Sequence, residues 1–213
     1  SHDLRTPLAI MTTELEVALQ NKNTSVQDLR DTLKSNLEET KKMSRLVSDL
    51  LLISRGEHQV TSHTFVETDT YEFVKKIMHK IKPQAETKGL EIIIGEPQHA
   101  LILADVDSLE RAISNILQNA ISYTKKGRIT IDIKTDTQKA YISITDTGVG
   151  IEKKDIPFVF DRFYKASHSR NDASGSGLGL SISKLIIEEH KGSLSIESTV
   201  GVGTEVLISL PRC

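Results

Sequence analysis

ITDTGVGI (residues 144–151) joins two kinds of sequence. Before it, RITIDIK (128–134) and AYISITD (140–146) alternate apolar and polar residues, the period of strands with one face on a core. After it the period vanishes until GSGLGLSI (175–182) opens a helical pattern. Unpatterned stretches of that length in compact domains are either functional lids or disordered. The strand ends in Asp146, and an acid there can accept a hydrogen bond from an exocyclic amino group such as that of adenine. Gly148 and Gly150 follow at alternate positions, where a ligand can approach the backbone closely. At the far end, Gly175, Gly177 and Gly179 precede a helix, whose first N–H groups suit phosphate oxygens. An Asp-Thr-Gly turn is common, and GSGLGL matches neither the dinucleotide fingerprint nor the P-loop spacing. Together, bounding one loop, they predict a nucleotide lid over about residues 147–177.

Outward from that loop, SLSIES (193–198) and GTEVLISL (203–210) read as further strands. Towards the N-terminus, helices are predicted around 69–88 and 107–124, with LEIII (90–94) and HALILAD (99–105) between them, and a last helix around 178–191. The implied fold is an α+β sandwich: a mixed, mostly antiparallel sheet covered by helices on one face. In NILQNAISYT (115–124), Asn115 and Asn119 stand four apart on one helix face, while Ile113, Ile116, Leu117 and Ala120 fall on the core side. Asn is a poor helix former. A side-chain carbonyl oxygen there suits Mg²⁺, which takes few protein ligands and prefers oxygen.

The first 58 residues follow a different rule. Leu4, Leu8, Met11, Leu15 and Ala18 form one apolar stripe; Val26, Leu29, Leu33, Leu37, Met43, Val47 and Leu51 form another. NKNTS (21–25) separates them, with Thr24 and Gln27 spaced as a capping box. This predicts a helical hairpin over 1–58 whose seam calls for a second hairpin, giving a dimeric four-helix bundle. A linker is expected at 59–66 and the second domain at 67–213. Charge and composition narrow the partners. A formal net charge of -2 and a pI near 6.4 give no case for nucleic acid. No apolar run approaches the roughly 18 residues of a membrane span, and no signal peptide is visible. The single Cys213 excludes an internal disulfide or a cysteine metal cluster and fits a reducing compartment. The absence of an initiating Met, at a start inside a helical pattern, suggests a first helix truncated at its N-terminus.

Taken together, SHDLRTPL (1–8), NILQNAISYT, DTGVGI (146–151), FDRFYKA (160–166), GSGLGL and GVGT (201–204) resemble the H, N, G1, F, G2 and G3 boxes of bacterial two-component sensor histidine kinases, in the family's order. The resemblance implies a dimerisation and histidine-phosphotransfer hairpin, then a catalytic domain shared with gyrase-, Hsp90- and MutL-type ATPases, with ATP and Mg²⁺ as cofactors. It implies His2 as phosphoacceptor, Asn115 and Asn119 as the N box with Asn119 the Mg²⁺ ligand, Tyr123 beside the adenine, and Asp146 on its amino group. Gly148, Gly150, Gly175, Gly177 and Gly179, with Leu178 between the last two, would shape the lid and its phosphate contacts, and Thr204 would lie near the base. Phe160 and Phe163 would anchor the lid's apolar side. Where many relatives carry Lys, this chain has Ser122, and Lys125, Arg162 or Lys165 would substitute. The partners implied are a response regulator receiver domain and a second copy of the chain. The location implied is the cytoplasmic portion of a membrane-anchored sensor, the membrane being reached only through upstream segments.

Phosphoryl transfer to histidine needs a neutral imidazole with an exposed lone pair, and an adjacent carboxylate can hold its tautomer. Asp3 is the candidate, although i, i+1 neighbours on a helix do not face each other. Thr6, at i+4 from His2, could orient water for dephosphorylation of a regulator, and Pro7 should bend the helix. The remaining histidines, His58, His63, His79, His99, His168 and His190, read as ordinary linker or surface residues. Two other functions compete. A hydrolytic ATPase of the gyrase type needs a Glu four residues before the Mg²⁺-binding Asn, and Asn115 stands there, which cannot act as a base. A docking and phosphatase module with weak kinase activity is the second, kept open by Ser122 and the shortened first helix.

Overall fold

The computed structural model describes residues 2–21, 24–55, 64–166 and 176–213, without the side chains of 2, 3 and 52–55. The chain divides into two compact units, Ser1–Gln59 and Val60–Cys213. The expected linker at 59–66 falls mostly outside the described residues.

In the first unit, helix α1 (His2–Gln20) and helix α2 (Val26–Arg55) form the hairpin. The capping box sits one residue later than expected. Ser25 N–H and Oγ both donate to Asp28 Oδ2 (3.1 and 2.6 Å), and Asp28 N–H returns a bond to Ser25 Oγ at 3.1 Å. A carboxylate suits the positive helix start better than an amide does. Thr24 instead donates to the Asn21 carbonyl, and Gln27 to Asp31. The hairpin does not bury its apolar stripes by itself. The contacts between α1 and α2 include polar ones, with Ser35 and Asn36 donating to the two Glu14 oxygens at 3.0 Å each and Thr40 reaching Met11 Sδ. Leu29, Leu33, Leu37 and Leu51 stay 41%, 64%, 54% and 51% exposed within the single chain. The α2 stripe is therefore an outward face.

The second unit begins with strand β1 (Val66–Asp69), four residues that carry too little alternation to be read from sequence. Helix α3 (Thr70–Thr87) is started by Asp69, whose side chain accepts from Glu72 N–H at 2.9 Å. Strands β2 (Glu91–Ile94) and β3 (Leu101–Ala104) follow, then helix α4 (Val106–Tyr123), capped by Asp105 on Ser108 N–H. Strands β4 (Arg128–Thr135) and β5 (Lys139–Asp146), helix α5 (Gly179–Glu189), and strands β6 (Ser193–Thr199) and β7 (Gly203–Pro211) complete it. The main sheet runs β2-β4-β5-β7-β6, parallel only between β2 and β4, and β1 and β3 form a separate antiparallel pair.

Register explains the core. Cross-strand partners share a face of the sheet. One rung reads Ile94–Ile131–Ile144–Val206–Ile196 and the next Ile133–Ile142–Ile208–Leu194. Ile131, Ile142, Ile144 and Ile208 are essentially inaccessible. Against them pack Leu109, Ala112, Ile113, Ile116 and Leu117 of α4 and Ile182, Ile186 and Ile187 of α5, all buried and spaced three or four apart. Ser183 Oγ, fully buried, ties α5 to the Ala112 carbonyl of α4 at 3.0 Å.

His190 departs from its sequence reading. It is 4% exposed, its Nδ1–H donates to the Ile186 carbonyl at 2.7 Å, and its Nε2 accepts Asp105 N–H at 3.1 Å. A neutral ring thereby pins the end of α5 to the start of α4. His58, His63 and His168 lie outside the described residues.

Candidate active site

One rung of the sheet breaks the apolar rule on the helix-covered face. It reads Ile92–Ile129–Asp146–Thr204–Ser198, and its last three members are polar. Asp146 is 8% exposed; Thr204 and Ser198 are half-buried beside it. Buried polar residues need partners. Asp146 Oδ1 accepts Gly148 N–H at 2.7 Å, and Thr204 N–H also bonds this carboxylate. Burial outweighs both donors and raises its pKa above the usual aspartate value.

The glycine-rich turn after β5 is tied to its neighbours on both sides. Val149 N–H donates to the Tyr123 carbonyl at the end of α4 (3.2 Å), and Gly201 N–H donates to the Val149 carbonyl (2.9 Å). Gly203, at φ 140°, lies so close to the Asp146 carbonyl that a Cβ there would overlap it. This brings Tyr123, Asp146, Gly148, Gly150 and Thr204 together. From α4, Asn115 Nδ2 donates to the Gly179 carbonyl at 3.4 Å, so the N box meets the second glycine cluster at the start of α5. Asn119 lies one turn further along α4 and is half-buried. Leu178 is fully buried. Gly175 lies outside the described residues.

Residues 147–177 are the stretch expected to form the lid. A short 3-10 turn (Ile156–Phe158) and the buried Val159 and Asp155 root it, with Tyr164 Oη donating to Asp155 Oδ1 at 2.8 Å. Phe163 N–H donates to the Gly177 carbonyl at 3.0 Å, so the middle of that stretch meets its C-terminal end. Phe160 lies under the Lys184 ammonium at 5.5 Å. Phe163, expected to anchor the lid, is 56% exposed; its backbone, at φ 65°, makes the contact instead. Near Ser122, Lys88 Nζ reaches the Ile121 carbonyl at 3.0 Å and so caps the end of α4. Lys125 and Arg162 make contacts of their own, and Lys165 is half-buried.

Ser198 is the member that sequence reasoning missed. Its hydroxyl contacts Ile151 N–H (2.8 Å), the Gly203 carbonyl (2.9 Å) and Thr204 Oγ1 (2.8 Å). The available signal was a Ser at the inward position of SLSIES, in step with Leu194 and Ile196. In the first unit, His2 and Asp3 open α1, with side chains outside the described residues, and Thr6 is exposed on the same helix.

A family model described as histidine kinase-, DNA gyrase B- and HSP90-like ATPase matches residues 104–213. A second, the His Kinase A (phospho-acceptor) domain, matches residues 1–59. The chain belongs to the sensor histidine kinases. Sensor protein SrrB of Staphylococcus aureus is 33% identical over 214 residues, covering all of this chain and 37% of that protein. The chain thus spans little more than a third of that curated relative. Among solved structures, Acinetobacter baumannii histidine kinase AdeS superposes with a TM-score of 0.81 at 23% identity, over 99% of this chain and 98% of its own. Histidine kinase ThkA, solved in complex with response regulator protein TrrA, superposes at 0.74 and 20% identity, over all of this chain and 59% of that one. At such identities the last two speak for the fold of this kinase core. The family match accounts for ATP as the ligand of the second unit.

Proposed function

We propose that this kinase core transfers the γ-phosphoryl group of ATP to His2 and then to an aspartate of a response regulator. The observation that carries the reading is the polar rung Asp146–Thr204, set among aliphatic rungs and bounded by α4 and the glycine turns, in a chain whose other unit matches a phospho-acceptor domain. Asp146 accepts from the adenine amino group. Asn119 supplies one neutral oxygen to Mg²⁺, a hard cation that keeps its waters and phosphate ligands, so one amide beside a phosphate-binding helix start fits it. His2 attacks the γ-phosphorus; an N–P bond forms, the bond to the ADP oxygen breaks, and Asp3 takes the imidazole proton. The phosphoramidate then yields its phosphoryl group to a carboxylate of the regulator, of the class bound by ThkA. Thr6 positions water for the reverse of signalling, hydrolysis of that acyl phosphate.

The outward leucines of α2, with Leu8 and Leu15 of α1, pair two hairpins into a four-helix homodimer. No described helix is long and apolar enough to cross a membrane. In the reading proposed here, this core works on the cytoplasmic side and the rest of a longer sensor supplies the anchor. Intact mass after incubation with Mg·ATP, beside His2→Ala, tests the activity. One acid-labile phosphoryl adduct, absent from the variant, is expected; an adduct that survives acid, or that persists in the variant, would overturn the assignment.

A further inference from the structure

We infer that Ser198 is a positioning residue that fixes the proton of the Thr204 hydroxyl and thereby tightens selection of adenine over 6-oxopurines. The inference rests on the proposed nucleotide site and follows from counting protons. A serine hydroxyl has one O–H donor and two lone pairs. Three groups surround Ser198 Oγ, and two of them leave no choice. The Gly203 carbonyl, at 2.9 Å, can only accept, and Ile151 N–H, at 2.8 Å, can only donate. Ser198 therefore gives its proton to Gly203, takes one from Ile151, and has a single lone pair left for Thr204 Oγ1 at 2.8 Å. Thr204 must donate.

With its proton committed, Thr204 Oγ1 offers only lone pairs to anything else that meets it. Thr204 pairs with Asp146 across β5 and β7, on the same face. The two side chains next to each other on this rung thus both present acceptors, one ionisable and one fixed by a neighbour. Adenine carries an amino donor at position 6, whereas hypoxanthine and guanine carry a carbonyl oxygen there. The first matches two acceptors. The second sets lone pairs against lone pairs. Without Ser198, the Thr204 hydroxyl can turn and donate to that carbonyl, and part of the discrimination is lost. The same serine holds Ile151 N–H, near the N-terminal start of the lid stretch, so base selection and the seating of that start share one hydroxyl.

The test is calorimetric titration of the full chain with Mg·ATP and with Mg·inosine triphosphate. The wild type should favour ATP. In Ser198→Ala the ATP-to-ITP affinity ratio should fall by about three- to tenfold, the range of one hydrogen bond. Ser198→Thr, which keeps the hydroxyl, should restore it. In a Thr204→Val background the serine substitution should move the ratio no further, since the two act as one unit. If Ser198→Ala fails to fold, Thr204→Val alone must lower the ratio. An equal loss of both affinities in Ser198→Ala, or an unchanged ratio in Thr204→Val, would overturn the inference while leaving the nucleotide site in place. A wild type that binds neither nucleotide would remove the site itself, and the inference with it.

Discussion

Gly203→Ala should damage stability and nucleotide binding together, and its neighbour Gly201→Ala supplies the control. Both residues have positive φ, 140° and 77°, so any side chain strains the backbone at either site. Such strain costs about 1–3 kcal/mol. Only Gly203 adds a collision: its Cβ would overlap the Asp146 carbonyl, with Thr147 Cα 3.1 Å away, whereas nothing lies within 4 Å of a Cβ at Gly201. The atoms in the way are backbone at the end of β5, which is paired to β7 and cannot swing aside as a side chain can. A further loss of about 1–3 kcal/mol, typical of overpacking, is expected. For a unit of this size each kcal/mol lowers Tm by about 2–4 °C. The Tm of Gly203→Ala should therefore fall by roughly 4–24 °C and that of Gly201→Ala by roughly 2–12 °C. The displaced carbonyl belongs to Asp146, so ATP affinity should drop in the first variant and hold in the second. Thermal melting beside ATP titration reads both. Equal Tm losses, or unchanged ATP binding in Gly203→Ala, would refute the close approach as the reason for glycine.

Asp146→Asn should abolish ATP binding yet raise Tm near pH 8. Burial raises the aspartate's pKa in the folded state, so the folded form holds its proton more tightly and ionisation destabilises it as pH rises. The gain should shrink as pH falls towards the ordinary aspartate range and Asp146 becomes neutral, which melting curves from pH 8 down to about 4 would follow. His190→Ala should lower the Tm of the second unit, because Asp105 N–H loses its acceptor; a buried unmet donor costs about 1–3 kcal/mol, before any cavity. Leu33→Glu with Leu37→Glu should halve the mass measured by light scattering without loss of helical circular dichroism. An unchanged mass would place the dimer contact elsewhere.

The elements were legible in the sequence because periodicity is local. Helices α3, α4 and α5 and the strands from β4 onward lie within a few residues of where alternation puts them. What escaped depends on register, which the pattern of one strand does not contain. Ser198 matters because Glu205 pairs with Glu197 on one side, which sets Ser198 opposite Thr204, and with Thr145 on the other, which sets Thr204 opposite Asp146. The outward face of the α2 leucines is the opposite case, because Leu29, Leu33 and Leu37 form a stripe longer than one hairpin can bury, and the stripe itself is local. Phe163 was misread because an aromatic in a lid suggests burial, while here its backbone N–H does the holding. His190 is a long-range case, its partner lying 85 residues away.

The polar rung has a consequence for how such a domain can change. The polar residues sit at one end of the ladder, where the proposed nucleotide site lies, and the rungs beneath answer only to volume. Ile131, Ile144, Val206 and Ile196 can exchange among Ile, Val and Leu, if their sum is kept, at a cost of about 1.5 kcal/mol or less each. Such drift never meets the three hydrogen-bonding side chains above it. Packing and recognition are thus free to diverge at separate rates within a single sheet.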